Sequence, residues 1–233
     1  MYNVTYKQPA MYLKIKIGSG KLKLYVYHGS DKIISEPIHN GSRRYCDFGK
    51  GFYVTTNLEM AKSWASRKNK NAYVSKYIID LQDLNVATFD LNLDWLLLIA
   101  HSRNRYPNKE VQEILEHKFE HLSNYDIIIG PTADDRMFDT LSDFFENKIT
   151  IEQCVNVLNS MDLDIQYNIK SEKGITHIQY IDVIELDEYD IEFYSKESEE
   201  KKNLMKRKME YMIKKYRKSG KYFDELTGGD IIE

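Results

Sequence analysis

Polar and apolar residues alternate over LKLYVYH, residues 22–28, and this period of two predicts a strand. Residues 29–50 break the pattern with Gly, Ser, Asp, Asn and Arg and read as a long loop, a kind of segment that often carries function in a compact domain. GFYVTT, residues 51–56, predicts a second strand. Asn57 then caps a helix whose Met60, Ala61, Trp64 and Ala65 share one face. Further strands are expected at 72–81, 84–91, 125–130, 165–169 and 176–186, and helices at 92–102, 108–122, 133–146 and 150–160. From Ser195 the chain becomes dense in charge, with Met205, Met209, Met212, Ile213 and Tyr216 at helical spacing. This predicts a C-terminal amphipathic helix followed by a Gly-containing tail. Strands and helices do not alternate regularly, so the fold class expected is α+β rather than a doubly wound sheet. The change of character divides the chain into a domain over 1–190 and a charged helix and tail over 191–233.

Composition narrows the picture. A chain of 233 residues is long enough for one sizeable core. Its net charge of −3 is too small to argue for nucleic acid or membrane, and 18 Tyr with only 4 Pro is not a disordered composition. Cys46 and Cys154 have no Cys or His at metal-ligand spacing and read as reduced thiols of a cytosolic protein. The first residues show no apolar run behind a basic start, and the most apolar window, 93–101, is too short to span a bilayer. A soluble, cytoplasmic protein with no membrane partner and no metal is expected. The basic stretch from Lys201 to Lys218 could bind nucleic acid, an anionic membrane or an acidic partner, and reads first as the solvated outer face of a packing helix.

Taken singly, the candidate residues are ordinary. A histidine at a strand end is usually structural, Gly-Ser after a strand is a common turn, and Gly49-Lys50-Gly51 lacks the spacing of a phosphate-binding loop. Their order and local context carry more. LYVYHGS, residues 24–30, resembles the first strand motif of the poly-ADP-ribose polymerase and diphtheria-toxin branch of the ADP-ribosyltransferases. GKGFYVT, residues 49–55, looks like the second motif, and QYNI, residues 166–169, resembles the third, with Gln in place of the usual Glu. The stretch from about 22 to 186, including YDIIIGPTADDRMF, resembles an uncharacterised bacterial family of toxin- or effector-like proteins near these transferases.

The resemblance implies two small, mostly antiparallel sheets splayed around an NAD cleft, with helices outside. It implies NAD as substrate, a mono-ADP-ribosyltransferase activity, a protein or nucleic-acid acceptor and an antitoxin protein as partner. His28, Gly29, Ser30, Gly51, Phe52 and Tyr53 would hold NAD; Arg43 and Arg44, in the loop between the first two motifs, are candidates for its pyrophosphate or are simply solvated. Gln166 would position the nicotinamide ribose.

The chemistry suits such a set, because breaking the nicotinamide–ribose bond passes through an oxocarbenium-like state that needs orientation more than a strong nucleophile. A Gln accepts the hydrogen bond that a Glu would but brings no charge and cannot act as a base, which argues against chain extension. Three carboxylates are candidates to supply the base: Asp164, two residues before Gln166, and Asp134 and Asp135 after the Gly-Pro. Two alternatives stand beside transfer: a domain that only binds NAD, ADP-ribose or a protein, and an NAD hydrolase.

Overall fold

The structure, a computed structural model, describes residues 23–68, 71–133, 137–160, 163–217, 219–226 and 228–232, with the backbone only at 138, 228 and 232. In chain order the elements are β1 (Lys23–Ser30), β2 (Phe52–Thr55), α1 (Leu58–Ala65), β3 (Ala72–Asp80), β4 (Val86–Thr88), α2 (Leu93–Ser102), α3 (Lys109–Phe119), β5 (Ile127–Pro131), α4 (Phe138–Phe145), α5 (Ile151–Asn159), β6 (Ile165–Ile169), α6 (Glu172–Thr176), β7 (Ile178–Leu186), α7 (Glu188–Lys215) and α8 (Gly228–Ile232).

Side-chain caps set most of the helix starts. The Asn57 side chain accepts from the N–H groups of Glu59 and Met60, and Asn92 and Asn108 do the same for Trp95 and Val111. Thr150 and Gln153 form a reciprocal capping box at the head of α5. The strand expected at 84–91 shortens to β4, which pairs on one side only, over Val86–Thr88 against Ile127–Ile129. The strand expected at 176–186 loses its first residues to α6, whose start Ser171 caps through the N–H of Gly174.

The seven strands lie in the order β4-β5-β6-β2-β1-β3-β7, parallel between β4 and β5 and antiparallel elsewhere. This is an α+β fold around one mixed sheet rather than two separate sheets. The expected division appears instead as a seam. β1 pairs with β3 from Lys23↔Asp80 to Ser30↔Tyr73, whereas β1 and β2 register only at Tyr27↔Thr55.

Alternation along the strands makes two apolar faces. Val26, Phe52, Val54, Tyr77, Ile79, Ile127, Ile129 and Ile169 form one cluster, closed by Ile34, Leu84 and Ile175. The opposite face packs on helices. Ile128 and Ala87 meet the apolar run Trp95–Ala100 of α2, while Val74 and Ala72 meet Ala61 and Ala65 of α1 and Tyr194 of α7. The C-terminal helix starts at Glu188 rather than Ser195, so the boundary expected at 190/191 falls in its first turn. Its buried residues are Tyr194, Met205 and Met209; Tyr194 and Met205 join the apolar clusters, and Met209 Sδ accepts from the Thr140 hydroxyl.

Candidate functional site

The seam between β1 and β2 is where the first two motifs meet. Past Tyr27↔Thr55 no further backbone pair is registered, and the His28 ring takes over the link: Nδ1–H donates to the Tyr53 carbonyl at 2.7 Å. A carbonyl only accepts, so the proton sits on Nδ1 and Nε2 keeps its lone pair. Burial lowers the His28 pKa, and the bond to the Tyr53 carbonyl raises it only in part, so the ring is neutral near pH 7. The ring lies 4.7 Å from that of Phe52, on the face of the sheet that carries Val26 and Val54.

Tyr53 points to the other face, because neighbouring residues of a strand alternate. Its hydroxyl donates to the Gly49 carbonyl at 2.6 Å and accepts from the Phe48 N–H at 3.0 Å. Burial pushes its pKa well above the usual range. Tyr53 is therefore a clamp on the loop before β2. His28 and Tyr53 are joined through a backbone carbonyl, and their rings do not face one cleft.

Gly29 shares the Tyr53 face. A Cβ there would sit 1.9 Å from the Ala61 carbonyl oxygen, so only glycine lets α1 come this close to β1. Gly51 is constrained in the same way, since a Cβ would meet Asn168 Oδ1 at 1.6 Å. Ser30 turns onto the Lys32 backbone. Phe52 is a core residue at 6% exposure. Arg43 is exposed, and the Arg44 guanidinium stacks on Tyr45 rather than lying beside His28.

β6 brings Gln166 onto the Tyr53 face, registered opposite Thr55 and Gly130. Gln166 is only 3% exposed. Its Nε2 donates to Asp47 Oδ2 at 2.8 Å and to the Pro131 carbonyl at 3.4 Å. The carboxylate beside the amide is therefore Asp47, which the sequence reading did not single out. Asp47 also accepts from the Ala133 N–H at 2.8 Å and pairs with Arg103 at 2.6 Å. Asp164 does not join Gln166. It lies just before β6, and its Oδ1 accepts from Asn57 Nδ2 at 2.6 Å, next to the α1 cap. Asp134 and Asp135 lie outside the described residues.

The loop before β2 is seated by side chains of β6 and of the residue just after it. Asn168 Nδ2 and Lys170 Nζ both donate to the Phe48 carbonyl, at 3.0 and 2.9 Å. Burial lowers the Lys170 pKa. Beyond Phe48 a cleft of about 470 Å³ opens between this loop and α2 and α3, lined among others by Arg44, Leu98, His101, Tyr106 and Lys170. His28, Gly29, Tyr53 and Gln166 do not line it. No sequence signal marked Asp47, Arg103, Asn168 or Lys170, because each acquires its role from a partner distant along the chain. Among the described residues no helix is long and apolar enough to cross a membrane, and no group of three or more His, Cys, Asp or Glu is placed to hold a metal ion.

No curated protein matches this chain. A chain in the crystal structure of the M. tuberculosis MbcT–MbcA toxin–antitoxin complex is similar at a TM-score of 0.38, with 8% identity over 75% of this chain and 90% of that one, a likeness too weak to argue from. The family described as "Protein of unknown function (DUF3990)" matches residues 24–180, from the second residue of β1 into β7, and this chain belongs to that family.

Proposed function

We propose that this protein is a mono-ADP-ribosyltransferase that uses NAD as substrate and acts inside cells as a bacterial toxin or effector, with an antitoxin protein as its natural partner. The observation that carries the reading is the link from His28 Nδ1 to the Tyr53 carbonyl at 2.7 Å across the β1/β2 seam. It joins the strand ends that carry the first and second motifs and leaves Nε2 of a neutral imidazole as an acceptor for a ribose hydroxyl. Gln166, opposite Thr55 on the next strand, would accept from the nicotinamide ribose.

In the reaction the bond between the ribose carbon and the nicotinamide nitrogen breaks, and its electron pair leaves with neutral nicotinamide. The acceptor then bonds to the ribose carbon and gives up a proton. In this scheme His28 and Gln166 would orient hydroxyls from opposite sides of the β1/β2 seam, and neither is asked to be a base.

The burial of Gln166 favours a second reading. At 3% exposure and bonded to Asp47, the amide is nearly closed off, so in this reading the domain would bind NAD or ADP-ribose without transfer. Nicotinamide release from labelled NAD, with and without cell lysate, separates the two. The wild type should release nicotinamide and label a macromolecule, with His28→Ala and Gln166→Ala abolishing both. Release without labelling identifies an NAD hydrolase. Binding without release makes the second reading the right one, and absence of NAD binding refutes both.

A further inference from the structure

Why β6 carries a Gln here follows from what surrounds it. The two groups facing its Nε2, Asp47 Oδ2 and the Pro131 carbonyl, are acceptors only. The atom pointing at them must therefore be the nitrogen, and the amide orientation is decided by its neighbours. A Glu at 166 would instead place two carboxylates at hydrogen-bond distance. Asp47 is itself held: Arg103 Nη2 bonds its Oδ1 and the Ala133 carbonyl, and the Ala133 N–H returns to Oδ2. Trp95 Nε1 donates to the same Pro131 carbonyl at 3.1 Å. Among the described residues nothing donates to Gln166 Oε1.

We infer that Asp47 is the positioning residue of Gln166: its carboxylate and the Pro131 carbonyl take the amide protons, so that Oε1 is the group offered to a ligand hydroxyl. The identity of that hydroxyl as a ribose group rests on the NAD reading above. The arrangement also explains the Gln itself, because a site that places Asp47 here needs a donor at 166.

The test uses Asp47→Asn, Gln166→Glu and the double variant. In Asp47→Asn the remaining oxygen stays with the charged Arg103, so the introduced NH2 replaces Oδ2, the Ala133 N–H loses its acceptor, and Gln166 turns its own amide and spends Oε1 on the new donor. Turnover in nicotinamide release should fall by about tenfold or more, the scale for losing one oriented group, with KM changing far less. Adding Gln166→Glu restores an acceptor pair, one oxygen for the introduced amide and one for the ligand, so the double variant should be faster than Asp47→Asn. A merely structural Asp47 would show no such rescue. If the double variant is no better than the worse single one while the wild type is active, the inference is overturned and the NAD reading stands.

Unfolding against pH decides the contact without NAD. In Gln166→Glu one carboxyl of the pair is raised by its neighbour, so the stability it retains is present at low pH and is lost as pH rises through the raised value. Around the pair stand Arg103, Tyr53 and Cys46, and burial pushes the Tyr53 hydroxyl and the Cys46 thiol upward, so neither of these two adds a step near neutrality. The step should be absent from the wild type and displaced to lower pH in the double variant, where burial alone raises the introduced carboxyl. If all three unfold with the same pH profile, the two side chains do not meet and the inference fails, whether or not NAD is cleaved.

Discussion

Tyr53→Phe separates two roles that the sequence cannot distinguish. The ring stays, so packing and any stacking on a planar ligand are kept. The hydroxyl goes, and with it the bond to the Gly49 carbonyl at 2.6 Å and the bond from the Phe48 N–H at 3.0 Å. Phe48 is 1% exposed, so water does not readily replace the lost partner of its N–H. Leaving such groups unpaired costs about 1–3 kcal/mol. For a chain of this size that corresponds to a fall in Tm of roughly 3–10 °C. Urea or thermal unfolding measures the loss, and amide hydrogen exchange at Phe48 locates it. The Phe48 carbonyl is still held by Asn168 and Lys170, so the loop should loosen around residues 48–49 without leaving the sheet. If Tyr53→Phe unfolds within about 0.3 kcal/mol of the wild type and the Phe48 N–H exchanges at the wild-type rate, the hydroxyl is not a clamp; surface-like changes are that small. In that case the ring itself would be what Tyr53 contributes.

Gly29→Ala places a methyl 1.9 Å from the Ala61 carbonyl oxygen and 2.8 Å from the Ala65 nitrogen, so α1 must move off β1. Unfolding should show a loss of about 1–3 kcal/mol, the usual cost of overpacking, and an unchanged Tm would place α1 elsewhere. Asp126 joins three elements: it accepts from Asn85 N–H at 2.8 Å and from the Ser171 hydroxyl at 2.6 Å, with Lys173 at 3.7 Å. Burial pushes its carboxyl up, but these partners outweigh it and hold the pKa below the ordinary value. The sign follows: its contribution is present above the unfolded pKa and is lost as pH falls through the lower folded one. Asp126→Asn should therefore flatten the acid limb of a stability-against-pH curve, and an unaltered limb would refute the assignment.

Patterning in the chain was enough to place most elements. The period of two in LKLYVYH and AYVSKYIIDL, the Asn caps and the apolar run Trp95–Ala100 are local signals, and local physics decides them. His28, Tyr53 and Gln166 stand on β1, β2 and β6, which are neighbours in the sheet. What tertiary structure decided is how they meet. Alternation along β1 and β2 says nothing about which face turns to which helix, and the answer, His28 on one face and Tyr53 on the other, depends on the register Tyr27↔Thr55. Gly29 and Gly51 look alike as loop or turn glycines, yet each is required by an atom far along the chain, the Ala61 carbonyl and Asn168 Oδ1. Asp47 is the clearest case. In sequence it is one acidic residue in a polar loop, 119 positions from Gln166. Only the folding of that loop over β6 turns it into the group that orients the amide, because a hydrogen bond depends on distance in space and leaves no period or spacing in the chain.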